Sequence, residues 1–341
     1  MTDQLHVEIS NKNIGKTNMM SQMIRFIILI LVVLLLFAFL IPNFNYIRVP
    51  NLNNILTDAV IPAIFGFAMG IIIAGSGFDL SLGHIASMVA SIVAYLMSRG
   101  LDMHPVLAII IGLTVAALVG SISGFIVSRM GISSFIVTLG MQFLVIGARQ
   151  LITRGQSVYI NNEGFKWLAR RPLGLSNLVF ILIIVAVLCF LLMEKSAFGR
   201  KIHFVGANIE ASRFSGIDVH KITFSIFVLG AILAAFGGIL FAARAGAVQI
   251  NSVDFRLLDA ITIAVFSSVL FGRFRTIGII LVAILISMIA TGLSMLGIQT
   301  EWIEFVKGFI LLSSIVMSKF NHEDKMIKKI LVNHQKLQKE I

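Results

Sequence analysis

Long apolar stretches separated by short polar segments cover most of the chain. A helix needs about 20 mostly apolar residues to cross the hydrocarbon core of a bilayer, and ten stretches approach that length. The pattern predicts an all-α, polytopic transmembrane helical bundle of about ten helices. The third and eighth stretches are short, which indicates helices that are tilted, broken or only partly spanning. The predicted spans are Phe26–Ile41, Ala59–Ala74, Leu82–Leu96, Val106–Val127, Phe135–Ala148, Leu178–Met193, Ile222–Ala243, Ile261–Phe271, Ile277–Leu296 and Trp302–Met317.

The distribution of Lys and Arg predicts the orientation, because these residues are in excess in cytoplasmic loops. Ten spans place both ends of the chain on one side, and most of the 27 Lys and Arg residues fall on that side. Both termini are therefore expected in the cytoplasm, although the outer segment 149–171 is unusually basic. The predicted parts are an N-terminal tail (1–22), a transmembrane domain (23–318) with its longest inner loop at 194–221, and a basic C-terminal tail (319–341).

The composition agrees with a membrane protein. Hydrophobic residues make up 58% of the chain and charged residues 13%, whereas a soluble domain has about 25% charged residues. The net charge of +11 does not indicate a nucleic-acid partner, because the basic residues lie between apolar stretches rather than on one soluble face. The single cysteine, Cys189, lies in an apolar stretch and can form neither an intrachain disulfide nor a thiolate metal cluster.

Two predicted helices carry rows of small residues at a spacing of four. This spacing places each row on one helix face, where two backbones can approach closely. Both helices are therefore expected to face protein rather than lipid. The rows are Gly112, Ala116, Gly120 and Gly124, and Gly230, Ala234, Gly238 and Ala242.

No segment predicts a catalytic or metal site. The fragment Gly15-Lys16-Thr17 matches only the end of a phosphate-binding loop, because position 10 is Ser10 where that loop requires glycine. The fragment also lies in a polar tail with no preceding strand. The histidines are scattered, and His84, near a possible helix start inside the membrane domain, is the hardest to assign to a loop.

A glycine-rich segment, residues 75–83, interrupts two apolar stretches. Glycine frees the backbone there, and Asp79 or Ser81 can cap the next helix by accepting N–H bonds. One interpretation is a buried broken helix that lines a transport pathway. The other is a short cytoplasmic turn with a helix cap, and the sequence alone does not separate the two.

The inner loop 194–221 contains a predicted short helix. Asn208 can cap a helix from Ile209 to about Ser215, and Gly216 can end it. An exposed Phe214 beside Ile209 favours the interpretation that this helix docks into an apolar groove of a partner protein. The alternative is a solvated connecting loop.

This loop and three other segments resemble the permease subunits of ribose-type (monosaccharide) ABC importers, in the branched-chain/ribose permease superfamily. The resemblance covers about Asn54 to Met317. The loop is similar to the ATPase-coupling loop of that family. The matching segments are Gly199-Arg200, Gly206 to Ile217, Asp79-Leu80-Ser81-Leu82-Gly83, Leu258-Asp259-Ala260-Ile261 and Val306-Lys307-Gly308.

The resemblance implies a permease that moves a monosaccharide or related small polar solute inward across a bacterial cytoplasmic membrane. It implies no enzymatic activity and no cofactor in this chain, since ATP and Mg²⁺ would be bound by a separate cytoplasmic ABC ATPase. The other implied partners are an extracytoplasmic solute-binding protein and a second permease copy or paralogue. The implied ATPase-coupling residues are Gly206, Asn208, Ile209, Glu210, Ala211, Ser212, Arg213, Phe214, Ser215 and Gly216. The pathway candidates are Asp79, Ser81, Ser267 and Ser268.

The chain departs from the family pattern in two places. Ser267-Ser268 stands where the family usually has Gly-Gly, and Ser212 replaces a usual Ala. The first departure touches the inner end of the pathway, so the resemblance does not identify the solute. Nucleosides, branched-chain amino acids and a furanose-like signal molecule remain alternatives.

A secondary transporter driven by an ion gradient is an alternative from another class. Such a protein needs intramembrane carboxylates or paired charges. The candidates are Asp79 and the pair Glu304 and Lys307, whose spacing of three favours mutual neutralisation on one helix face. The coupling-like loop favours the ABC importer.

Overall fold

The computed structural model describes residues 2–98, 101–172, 174–249, 253–313 and 316, with the backbone alone for residues 2–20. These residues fold into a bundle of helices. The helices are α1 (Thr2–Leu40), α2 (Val49–Ala74), α3 (Leu82–Leu96), α4 (Pro105–Met130), α5 (Ser134–Thr153), α6 (Glu163–Lys166), α7 (Asn177–Phe190), α8 (Ala197–Ala207), α9 (Ile209–Phe214), α10 (Val219–Ala245), α11 (Arg256–Phe271), α12 (Thr276–Met295) and α13 (300–313). Short 3₁₀ turns occupy Pro42–Ile47 and Trp167–Ala169, a π-helical turn at Leu191–Lys195 extends α7, and strands β1 (Val158–Tyr159) and β2 (Ala247–Val248) pair antiparallel.

The predicted all-α transmembrane bundle is confirmed. Within the described ranges, seven helical segments are long and apolar enough to cross a membrane, and each coincides with a predicted span. The third predicted span is the shorter apolar helix α3, with the predicted bounds. The eighth, α11, has 16 residues because it begins at Arg256, before the predicted Ile261. The end of the tenth span, apart from Val316, and the C-terminal tail 319–341 lie outside the described residues.

Among the seven segments long enough to span a membrane, α2 has the most buried apolar stretch. Of its most apolar stretch, 89% of the residues are buried, against 17% for α1 and 22% for α5. The helices α4 and α5 instead expose large apolar side chains such as Leu118, Phe125, Phe143 and Leu144. Lipid tails solvate such side chains as well as a protein core does, so these surfaces suit an apolar environment outside the single chain.

Both rows of small residues face protein, as predicted. All four residues of the α4 row are buried, and a β-carbon at Gly120 would lie 2.7 Å from Cβ of Ala231 on α10. On α10, Gly230 packs against Ile72 of α2, and Gly238 packs against the backbone of Ala86 on α3. The two rows thus contact different neighbours, and α10 lies closely against α2, α3 and α4.

We predict that Gly238→Leu destabilises the bundle, because even a β-carbon would collide with the carbonyl group of Ala86. Overpacking of this kind costs about 1–3 kcal/mol or more. The matched control is Gly140→Leu on α5, since Gly140 is exposed and has no atom near its absent β-carbon. Thermal unfolding in detergent should show a lower Tm for the first variant only. Equal Tm values would show that α10 does not approach α3 as described.

Candidate functional site

The predicted capped helix in the inner loop is present as α9. The side chain of Asn208 accepts a hydrogen bond from the backbone N–H of Ala211 at 2.9 Å, which is the N-cap geometry. The helix ends before Gly216, whose φ of +76° is a conformation that suits glycine. The loop also contains α8, which was not predicted from the sequence. The available signal was Ser196, whose hydroxyl caps α8 by accepting the N–H of Gly199 at 3.0 Å.

The two sides of α9 differ. Ser212 is buried, and its hydroxyl donates to the backbone carbonyl of Asn208 at 2.8 Å. Phe214 is 91% exposed and Ile209 is 41% exposed. The charged residues of the helix, Glu210 and Arg213, pair with each other at 3.1 Å. The helix therefore presents an apolar side chain to its surroundings while its own charges are balanced.

The helix α8 connects this surface to the interior of the bundle. Gly206 packs against the carbonyl group of Ala74, the last residue of α2, so closely that a β-carbon would not fit. The Ser76 hydroxyl donates to the Gly206 carbonyl at 2.8 Å. Burial, together with the charges of Arg273 and Arg275, lowers the pKa of His203, so this α8 side chain is neutral at pH 7.

The segment after Ser76 is the interruption predicted between α2 and α3. Its backbone runs along α5, where the N–H of Phe78 donates to Ser134 Oγ and the N–H of Leu80 to Thr138 Oγ1, both at 3.1 Å. Side chains of a neighbouring helix thus satisfy the non-helical backbone, as a broken helix inside a membrane protein requires.

Asp79 organises the end of this interruption. Its side chain is fully buried, and Oδ1 accepts hydrogen bonds from the Ser81 N–H at 2.7 Å and the Ser81 hydroxyl at 2.5 Å. Asp79 therefore forms a local turn with Ser81 just before α3. Ser81 is the N-cap residue of this helix but makes no side-chain cap bond to it, so neither of the two predicted caps is formed. Oδ2 of Asp79 has no hydrogen-bond partner among the described residues. Whether the segment lines a pathway stays a prediction.

The other pathway candidates lie at a contact between helices. Ser267 is buried against α12, where a β-carbon at Gly278 would lie 2.5 Å from Ser267 Oγ. The Ser268 hydroxyl donates to the carbonyl of Ala264 within α11, at 2.7 Å. The glycine at position 278 thus makes room for a serine that departs from the family pattern. A pathway role for the two serines remains a prediction.

A cavity of about 570 Å³ lies at the end of the bundle opposite α9. It lies between the N-terminal ends of α2 and α11, the C-terminal ends of α10 and α12, and α13. Neither Asp79, Ser81, Ser267 nor Ser268 lines it. Its ionisable lining residues are Asp58, Arg244, Arg256, Asp259, Glu304 and Lys307.

A network of ion pairs forms one wall of this cavity. Lys307 Nζ lies 2.9 Å from Oδ1 of Asp259 and 2.9 Å from Oε1 of Glu304, and Arg256 lies 2.7 Å from Oδ2 of Asp259. The predicted pairing of Glu304 with Lys307 is therefore confirmed. The contact between Asp259 and Lys307 was not predicted, although both residues belong to segments that carried the family resemblance.

A second buried cluster surrounds Asp254, between α3, α5 and the start of α11. Asp254 lies 2.8 Å from Arg149 and 3.1 Å from Nδ1 of His84, and it accepts the hydroxyl of Ser87. His84 thus has a carboxylate partner. Arg149, which we assigned to the basic outer segment, is instead buried near the end of α5. The role of Asp254 was not predicted, because no local pattern links it to residues so distant in the chain.

The chain is similar to known permeases. The family described as branched-chain amino acid transport system / permease component matches residues 51–315. The ribose import permease protein of Escherichia coli strain K12 is 30% identical over 298 residues, covering 85% of this chain and 92% of the relative. That of Bacillus subtilis strain 168 is 29% identical, covering 93% and 98%. The galactose/methyl galactoside import permease protein of E. coli K12 is 29% identical, covering 87% and 94%. No solved structure matches.

We predict that Asp79→Ala destabilises the protein by about 1 kcal/mol, the usual net contribution of one intramolecular hydrogen bond, whereas Asp79→Asn does not. The amide keeps an acceptor for the N–H of Ser81 and removes a buried carboxylate whose second oxygen has no partner among the described residues. Thermal unfolding in detergent measures both effects. Solute uptake by the stable Asp79→Asn variant then tests the pathway role, and unchanged uptake would limit Asp79 to holding the turn before α3.

Proposed function

The chain belongs to the family described as branched-chain amino acid transport system / permease component, and on this premise we propose that it is the membrane-spanning subunit of an ATP-driven ABC importer. The proposed cargo is a monosaccharide or a closely related small polar solute, moved inward. The chain itself would catalyse no reaction. ATP and Mg²⁺ would be bound by the partner ATPase.

The observation that carries this proposal is the exposure of Phe214 on α9. A solvated connector gains nothing from a phenylalanine that is 91% exposed, whereas an aromatic side chain in a pocket of a partner contributes strongly to binding. The cap at Asn208 and the turn at Gly216 hold the helix in shape before any partner binds. A preorganised helix of this kind is suited to receive motion from an ATPase.

The contacts of α8 suggest how that motion enters the membrane domain. Movement of α9 would shift α8, whose Gly206 contacts the end of α2 and receives the hydrogen bond from Ser76. Ser76 begins the interruption that Asp79 closes at the start of α3. Closure of the ATPase would thus change the packing of α2, α3 and α5. The pathway would then open to one side of the membrane and close to the other.

The relatives support a sugar as the substrate rather than the branched-chain amino acid that the family description mentions. The relatives named above are import permeases for ribose and for galactose or methyl galactoside, whereas the family description refers to branched-chain amino acids. A nucleoside or a furanose-like molecule shares the hydroxyl chemistry of these sugars. We therefore propose a polyhydroxylated solute.

The proposed assembly contains two permease subunits, identical or paralogous, with cytoplasmic ABC ATPases and an extracytoplasmic solute-binding protein. The protein would lie in the bacterial cytoplasmic membrane with both termini in the cytoplasm. Lys and Arg are in excess on the side of α8 and α9 under this arrangement. The charged cavity then opens to the outside, where a binding protein delivers its solute.

Ion-driven secondary transport is less well supported. Glu304, Lys307 and Asp259 neutralise one another in one network, so none of them is an uncompensated ion ligand. Asp79 is the remaining carboxylate suggested for that role, and one of its oxygens already binds Ser81. An ion-driven transporter has no ATPase, so it would not need the capped, exposed helix α9 as a docking element.

We predict that Phe214→Ala weakens binding of the ATPase at least about tenfold, because truncating a buried aromatic at an interface typically costs about 2 kcal/mol or more. Glu210→Arg, which removes the partner of Arg213, should act in the same direction. The measurement pairs co-purification of the ATPase with ATP hydrolysis and solute uptake after reconstitution.

The matched control for this experiment is Phe143→Ala on α5. Phe143 is a 65% exposed phenylalanine within the membrane-spanning helix α5, outside the inner loop, so its loss should leave binding of the ATPase unchanged. Wild-type assembly and coupling in the Phe214→Ala and Glu210→Arg variants would reduce α9 to a connector and contradict the importer assignment.

We predict that Asn161→Cys in a Cys189→Ala background reacts with a membrane-impermeant thiol reagent in intact cells. Asn161 is exposed in the connection between α5 and α7, at the end of the bundle opposite α9. The control is Ser215→Cys beside α9, which should react only after permeabilisation. The reverse pattern would invert the proposed orientation.

A further inference from the structure

The cavity opposite α9 has the size and the walls of a solute site. Its volume of about 570 Å³ lies within the range of about 300–1,000 Å³ that small-molecule sites occupy. The ion pair between Asp58 and Arg244 lies where α2 and α10 border it, and both side chains are partly exposed. Asp259, on another wall, is 1% exposed.

The ionisable groups of the cavity balance one another. Its lining contains the cations Arg244, Arg256 and Lys307 and, in equal number, the carboxylates Asp58, Asp259 and Glu304. Each of these side chains is within ion-pair distance of another member of the set. A solute with a net charge would leave one charge uncompensated in a partly desolvated space, which is costly.

The pairing also discriminates between kinds of neutral solute. A zwitterionic amino acid would have to separate existing pairs, such as Asp259 and Lys307, to bind its own charges. A hydroxyl group can instead donate to a carboxylate and accept from an ammonium or guanidinium while the pairs persist, and such charge-assisted hydrogen bonds are strong. The network therefore suits a molecule with many hydroxyl groups.

The remaining walls supply surfaces for the carbon skeleton of such a solute. Phe255 and Phe241 line the cavity, and the guanidinium group of Arg256 lies 4.7 Å from the ring centroid of Phe255. Aromatic faces bury apolar C–H surface while leaving polar groups free to bind elsewhere. On α12, the hydroxyl residues Ser287 and Thr291 add neutral donors and acceptors.

From these observations we infer that the cavity is the outer solute vestibule of the transporter, selective for uncharged polyhydroxylated solutes of monosaccharide size. The inference rests on the proposed importer function and adds the place and the residues of solute selection to it. Asp259 and Lys307 hold α11 and α13 together at this vestibule. Asp259 is almost fully buried, so it would fix the geometry of the cavity, whereas the partly exposed Lys307, Arg256 and Glu304 would contact the solute.

The test uses the complete reconstituted transporter, with its ATPase and binding protein, and the variant Thr291→Trp. Thr291 lines the cavity on α12, so an indole would fill the vestibule without replacing any charged group. ATP-dependent uptake of D-ribose, D-galactose, D-fructose and L-leucine is measured. We expect uptake of at least one sugar and not of leucine by the wild type, and at least about a tenfold loss of sugar uptake in the variant.

The control is Leu144→Trp, which adds the same indole at a position on α5 that is 68% exposed. Assembly with the ATPase should be normal in both variants, which separates a blocked vestibule from misfolding. In a Cys189→Ala background, Thr291→Cys should react with an impermeant thiol reagent from the outside. If the cysteine introduced by Thr291→Cys reacted only after permeabilisation, the proposal that the cavity opens to the outside would be wrong.

The outcomes separate this inference from the proposed function. A wild-type transporter that takes up sugar, with full uptake retained by Thr291→Trp, would overturn the vestibule and leave the importer intact. Uptake of leucine but not of sugars would overturn the polyol selectivity while supporting an importer. A wild-type complex with no ATP-dependent uptake of any solute that its binding protein carries would contradict the proposed function itself.

Discussion

The close packing of α10 against three other helices is the contact on which the rest of the bundle depends. Hydrophobic attraction does little to hold helices together within a lipid bilayer, so van der Waals contact between closely packed backbones has to do so. Gly230 and Gly238 bring α10 against α2 and α3, and Gly120 brings α4 against α10. One end of α10 follows α9, and the other contributes Arg244 to the cavity.

Besides the ion pair of Glu194 with Arg275, the inner loop is joined to the membrane domain through close backbone contacts. Gly206 lies directly against the end of α2, and Ser76 binds its carbonyl oxygen. At this point of contact no side chain separates the two backbones, so a displacement of α8 would act directly on the end of α2. The interruption that follows is held by hydroxyl groups of α5 and by Asp79, which are local bonds that can exchange without unfolding a helix.

In the described part of the chain, two of the three buried charged side chains, Arg149 and Asp259, lie in clusters of opposite charges, as the cost of an isolated charge inside a membrane favours. The third, Asp79, is instead held by hydrogen bonds from Ser81. Asp254 is surrounded by Arg149, His84 and Ser87, and Asp259 by Arg256 and Lys307. Each cluster joins residues from separate segments, so each fixes the relative position of those segments. Specific positioning, rather than added stability, is the better account of such groups, because desolvation offsets much of the attraction between buried ions.

The sequence by itself determined the features that depend on neighbouring residues. The lengths of the apolar stretches predicted the spanning helices. The spacing of Gly120 and Gly124 predicted which face of α4 is buried, and Asn208 with Gly216 predicted the bounds of α9. Only the tertiary structure decided which helix each small face contacts, that Arg149 is buried against Asp254, and that Asp259 meets Lys307. Caps, helical periodicity and hydrophobic length act within a few residues, whereas an ion pair between distant segments exists only after the helices have packed.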